Sequence, residues 1–326
     1  DGSTSFVAES DSNSMGRMRV LNAAGDEDRV VVGGDDYDMG ELFIKDSEEE
    51  ISFYLSSDPY NNATLEGYDG GGERIINMDY LTTEFSAPSF VGAALDSSLH
   101  STGAAILGGS GNYLSGDYNV IVAGALNEIS GGFFDFVGGG SGCCVTGSDY
   151  STSVGGYNND IYSTNAAFIG GGFNNLITSG SLVSAIAGGY SGIITDSQFG
   201  FVGGGARNHI LSGSDGGVIV GGYGNQLEPA SNYSVQGGGR VNKLSGQYSF
   251  IGGGLANTVS GASSTILAGT YNEVVADYGL AAGNYSRVQA GHDGAFVLSD
   301  SSTTPALSSG TNTLGLHFED GVYVES

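Results

Sequence analysis

Ser249-Phe250-Ile251-Gly252-Gly253-Gly254-Leu255-Ala256-Asn257-Thr258-Val259 contains, in one stretch, the unit from which most of this chain is made. Its terms are an aliphatic residue (Ile251), two spacers, Gly254, two spacers, Asn257, one spacer and a second aliphatic (Val259). Working outward, the glycine returns at 109, 124, 140, 156, 172, 189, 205, 222, 239, 254, 269 and 283, in steps of 14 to 17 residues. Five residues beyond it an aliphatic side chain stands every time: Leu114, Ile129, Val145, Ile161, Ile177, Ile194, Ile210, Leu227, Leu244, Val259, Val274 and Val288. Three residues before it come Ile106, Ile121, Val137, Ile169, Ile186, Val202, Ile219, Ile251, Ile266 and Leu280, with Ser153 and Gln236 as the exceptions. A fixed period with a fixed apolar register signals a solenoid, in which each coil buries its face only by stacking on its neighbours.

The composition of the repeat selects strand over helix. Gly, Asn, Ser, Val, Ile and aromatic residues are weak helix formers and suit short strands and turns. Steps of 14 to 17 residues accommodate two such strands and two turns per coil. The glycine permits the positive φ of a tight corner. The asparagine tolerates the left-handed region and hydrogen-bonds turn backbone, and stacked asparagines are expected to form an amide ladder. At about 4.8 Å per coil the repeat body would be about 55 Å long.

Two further columns concern the surface. Phe136, Phe168, Phe201 and Phe250 directly precede the inward aliphatic, and Ala105, Val120, Ala185 and Val218 fill the same slot. Neighbours in a strand point to opposite faces, so this column should emerge outside. A contiguous exposed apolar strip marks an interface, and around a rod axis cyclic self-association is the natural solution. The alternative is a flattened coil that tucks the column under a turn. Tyr157, Phe173, Tyr190 and Tyr223 follow the repeat glycine directly. They are expected to form an exposed ladder whose rings meet sugar faces in a multivalent glycan contact, or else to cover the corners or seal the oligomer.

Charge and cysteine usage narrow the function classes. Nine Lys and Arg against 36 Asp and Glu give a net charge of −27, which repels phosphate backbones and argues against nucleic acid. Twenty-one of those acids lie in the first 100 residues, so an acidic region 1–98 precedes the repeats at 99–288. No run of about 18 apolar residues is present, which excludes a membrane-spanning helix in this segment. Cys143 and Cys144 are the only cysteines. Cys143 stands in an Asn slot, as a small semi-buried substitute; an interchain disulfide or a vicinal one are the alternatives.

The repeats resemble the head of trimeric autotransporter adhesins of the YadA type and the glycine–asparagine form of tail-fibre-like proteins. His292-Asp293-Gly294-Ala295-Phe296-Val297-Leu298-Ser299-Asp300 is similar to the segment that follows the repeats there, with Leu298 where that family usually has Trp. The segment 289–326 would then be a short β cap. The resemblance implies a left-handed parallel β-roll made by three chains, exported and displayed on a cell or virion, with no enzyme activity and no cofactor. Its partners would be other copies of the chain and a surface glycan or protein receptor.

Region 1–98 reads as short alternating runs at 17–23, 29–32, 41–45 and 50–55, a β-rich shaft or an acidic cap. Among candidate chemical sites, His292-Asp293 reads as a structural turn. The acidic runs 33–38 and 48–50 read as solvated charge rather than a calcium or other metal site. Asn62, Asn232 and Asn284 open sequons for N-glycosylation. Three function classes follow: an attachment fibre, a self-assembling filament subunit, and a tailspike-like glycan hydrolase. The last needs paired acids about 5–9.5 Å apart, and the repeats are poor in them.

Overall fold

The computed structural model describes residues 97–301 and 303–322, except the side chains of 98 and 100, together with the backbone of eight strands between Ser5 and Leu95. The chain forms two compact units, Asp1–Phe134 and Asp135–Ser326. The fold is an all-β parallel solenoid, and no helix occurs among the described residues.

In the first unit, strands Ser5–Ser10, Gly16–Leu21, Asp28–Gly34, Gly40–Lys45, Ile51–Ser57, Ala63–Tyr68 and Arg74–Asp79 pair antiparallel in succession. Four coincide with the alternating runs read from the sequence. Phe90–Leu95 then changes the topology: it pairs antiparallel with Arg74–Asp79 but parallel with Ala105–Ser110, Phe90 opposite Ala105. Ser98–His100 likewise pairs parallel with Tyr113–Ser115. The solenoid therefore starts one coil before the glycine count. Phe90, Val91 and Leu99 keep the register while Ala94 and Ser97 replace the marker Gly and Asn.

In the second unit each coil contributes one strand to each of two parallel sheets. The first sheet runs Phe136–Val137, Thr152–Ser153, Phe168–Ile169 and onward, coil upon coil, through Phe296–Ser299 to Leu314–His317. The second runs from Cys144–Thr146 to Ala306–Leu307. Parallel stacking thus continues past 288 into the closing segment.

The twelve aliphatics that follow the glycines are all buried to 0 % exposure. The column before them is buried to 0–1 % exposure, with one correction. Leu280 was expected to point inward, but Ala281 is the buried residue and Leu280 faces out. The cause is the short 14-residue step from Gly269 to Gly283, which shifts the strand register between Ile266 and Gly269. The exceptions Ser153 and Gln236 do enter the core, where Ser153 Oγ and Gln236 Oε1 find no hydrogen-bond partner. Each fully buried Ile, Leu or Val contributes about 1.5–3 kcal/mol, so the stack tolerates two polar intrusions.

Two corners join the sheets. At the first, all twelve repeat glycines have φ between +82° and +117°, which side chains rarely adopt. A Cβ on Gly222 would also collide with the carbonyl oxygen of Gly239 in the next coil. The asparagine does not take the left-handed conformation; the residue before it does, as at Asn158, Asn174, Arg207 and Val241. The asparagine instead points inward and bonds backbone. Asn225 Nδ2 donates to Gly221 O (2.9 Å) and Gly239 O (3.0 Å), and its Oδ1 accepts from Asn242 N–H (3.1 Å). The ladder is therefore mostly side chain to backbone rather than amide to amide.

The second corner holds a column that sequence reading missed. Ser151, Ser184, Ser234, Ser249 and Ser264 are buried there. Ser249 Oγ donates to Gly261 O (2.9 Å) and accepts from Ser264 N–H (3.0 Å). A second buried ladder thus satisfies backbone groups that would otherwise be stranded.

Candidate functional site

The outward side of the first sheet is apolar. Phe136 is half-buried, and Phe168, Phe201 and Phe250 are 39–40 % exposed. Their rings lie along the strand over a glycine two residues on: Cε1 is 3.1–3.4 Å from an ideal Cβ on Gly138, Gly170, Gly203 and Gly252. Coils without Phe in the first outward slot vary in the second: Thr152 is followed by Val154, Val218 by Val220 and Thr265 by Leu267, whereas Ala185 is followed by Ala187 and Val235 by Gly237. The face is apolar throughout, with a dip at Ala185 between Phe168 and Phe201. It lies open in the chain rather than tucked under a turn.

At the glycine corner Tyr157, Phe173 and Tyr190 occupy consecutive coils and stack on one another, with centroids 4.9 and 5.4 Å apart. Stacking changes what the ladder offers. The ring faces cover each other, so most of what solvent meets is edges. Ala206 interrupts the column before Tyr223. Tyr223 is flanked instead by guanidiniums, with Arg207 Cζ 5.9 Å and Arg240 Cζ 5.7 Å from its centroid. Arg207 Nη1 also donates to Tyr223 Oη at 3.1 Å.

A second aromatic column went unread in the sequence, although it sits at a fixed offset two residues before the Phe slot. Tyr150, Phe199, Tyr233, Tyr248 and Tyr278 are 59–65 % exposed at the serine corner, all with positive φ. Tyr233 and Tyr248 stack at 5.5 Å. The apolar face is therefore bordered by aromatic residues at both corners.

The remaining candidates are placed as follows. No disulfide joins Cys143 and Cys144. Cys143 is wholly buried in the Asn slot, so it cannot reach another chain; Cys144, half-buried on the second sheet with Sγ 3.1 Å from Thr146 Oγ1, is the one positioned near the surface. In the sequon at Asn232, Ser234 is buried and donates to Gly246 O. In that at Asn284, Ser286 is buried and Asn284 Nδ2 donates to Ser301 O. Both sequons are built into the ladders, a poor setting for modification after folding. Asn62 and the acidic runs at 35–38 and 48–50 lie outside the described residues.

His292 sits in a turn, its Nδ1 2.7 Å from Ser308 Oγ, while Asp293 Oδ1 accepts from Asp277 N–H. Ser308 is buried, so the pair has no accessible nucleophile. Burial raises the carboxyl of Asp135 from 3.8 to about 7, with the Ser151 N–H lowering it and Asp149 raising it. Burial also raises Asp160, which shares the second sheet with Tyr162 and Cys144. Among the described residues no three His, Cys, Asp or Glu gather as a metal site, and no helix is long and apolar enough to cross a membrane.

Comparison with protein-family models and with curated proteins finds no match to this chain.

Proposed function

We propose that this chain is a non-enzymatic fibre protein, displayed outside the cell or on a virion, in which three copies pack side by side through the outward face of the first sheet. The observation that carries this reading is the exposed apolar face. Phe168, Phe201 and Phe250, each 39–40 % exposed, together with exposed Val154, Val220 and Leu267, give an apolar strip of the kind soluble monomers seldom leave open. A cyclic arrangement buries the same strip on every copy and leaves no unmatched surface. The resemblance to YadA-type heads points the same way. Attachment then works through repeated side chains along the corners, weak singly and strong together, with a surface glycan or protein as receptor.

A filament subunit is the second reading, and one feature favours it. Leu314–His317 pairs with Phe296–Ser299 on one side only among the described residues, leaving an edge that could take a further strand. Negative-stain electron micrographs of the purified chain separate the two. The fibre reading expects discrete particles of uniform length; indefinitely long threads would replace it with the filament.

A further inference from the structure

Tyr190, Ala206, Arg207, Tyr223 and Arg240 form a slot in the aromatic ladder, and we propose that it binds a saccharide carrying an isolated carboxylate, such as a terminal acidic sugar. This rests on the attachment reading and names the ligand class for one site.

The ladder offers a ring face at few places. Within Tyr157–Phe173–Tyr190 the planes cover each other. At Ala206 the aromatic is missing, so Tyr190 and Tyr223 stand two coils apart, about 10 Å at the parallel strand spacing. Tyr190 stacks on Phe173 on one side, and no aromatic ring stands on the side toward the gap. The gap lacks the ring that holds the 4.9 and 5.4 Å spacing found below it, and the proposed sugar ring takes that place beside the Arg207 side chain.

The charge in the slot is unusual for this chain. Four cations lie in 135–326: Arg207, Arg240, Lys243 and Arg287. Lys243 pairs with Glu228 and Arg287 with Glu273, both at 3.6 Å. Among the described residues Arg207 and Arg240 have no carboxylate partner, although the chain carries 36 acids. Both are exposed on either side of Tyr223. Arg207 is held by its bond to Tyr223 Oη, and it stands at φ +55° in a slot elsewhere given to Gly224, Asn158 and Asn174. A guanidinium oriented in this way keeps donors free for a bidentate carboxylate contact.

The size of the site decides the ligand further. Residues 135–326 carry 13 acids against these four cations, which disfavours a long polyanion laid along the coils. A single acid at the end of an otherwise neutral saccharide meets the two arginines without that repulsion. The sugar face meets Tyr190 and the carboxylate turns to Arg207, while Arg240, on the far side of Tyr223, adds positive charge at longer range.

The test is calorimetric titration of the full chain with sialyllactose and with lactose, for wild type, Arg207→Asn, Arg240→Ala and Tyr157→Ala. Asparagine and alanine already occupy the equivalent slots at 158, 174 and 206, so both arginine variants should fold. The proposal expects sialyllactose to bind and lactose to bind at least about tenfold more weakly. Arg207→Asn should lose about tenfold, one charge-assisted contact, Arg240→Ala a smaller factor, while Tyr157→Ala changes little. Equal affinity for the two sugars, no binding of sialyllactose, or indifference to the arginine variants overturns the slot. A change in the mass of the particle on Arg207→Asn also overturns it, since the guanidinium would then be pairing with a second copy. Retention of the wild-type chain on a sialic-acid-free surface would keep the attachment reading even where the slot fails.

Discussion

At the residue scale the corner glycines are the most constrained positions. Gly222 combines φ +94° with a Cβ path blocked by Gly239 O. Gly222→Ala should cost at least about 2 kcal/mol, seen as a lower urea midpoint; an unchanged midpoint would show that the corner relaxes. Such glycines are legible in sequence because few other residues fit. Asp135 was not legible, since only burial distinguishes it from a solvated acid. Its carboxyl lies raised to about 7 against 3.8 in the free side chain. Between those values the folded chain holds a proton that the unfolded chain has released, so stability falls as pH rises through the window. Asp135→Asn keeps an acceptor for Ser151 N–H. It should be more stable than wild type at pH 8, with the advantage fading toward pH 4; a gap independent of pH would contradict the buried-acid account.

At the element scale the two ladders explain why short strands suffice. Most strands of the repeats have two or three residues, too few to be stable alone. The inward amides and hydroxyls extend the backbone network into the corners. The Asn ladder breaks at Gly192, whose lack of a side chain separates Asn175 from Asn208. Gly192→Asn should join the two runs and add about 1 kcal/mol, with slower exchange of the Asn208 amide as the local readout. Faster exchange there would mean that the longer side chain is excluded by Asn175 and Ile186, which lie 3.1 and 3.4 Å from a Cβ at that position. The Asn column was visible in sequence because the residue returns in nine of twelve coils, with Cys143, Gly192 and Ser286 as the exceptions. The serine column was not, since Ser, Gly and Ala alternate there, with Asn119 and Asp135 in two coils, and small residues carry no hydrophobic period. The misplacement of Leu280 has the same kind of cause. A rule of fixed offsets fails where the step shortens to 14 residues, and the larger side chain attracts the inward assignment. The seven antiparallel strands before Phe90 were half visible, because alternation shows a strand but not its partner.

At the scale of the whole molecule, the apolar column was legible and the direction of its rings was not. Which ring lies over which glycine depends on side-chain direction, which shows only once the coils are built. An exposed apolar strip is what the proposed side-by-side trimer needs. Phe168→Asp with Phe201→Asp places two charges on the strip and leaves the buried Ile169 and Val202 untouched. The solenoid should keep its strand signature in circular dichroism while the assembly falls apart. Persistence of the assembly would move the contact to another face. The most direct measurement is the mass of the native chain in solution by light scattering, with and without reductant. A value near three times 33.0 kDa in both conditions is expected, since Cys143 is buried and Cys144 lies on the second sheet, away from the proposed contact on the first. A clean monomer of 33.0 kDa would contradict the account.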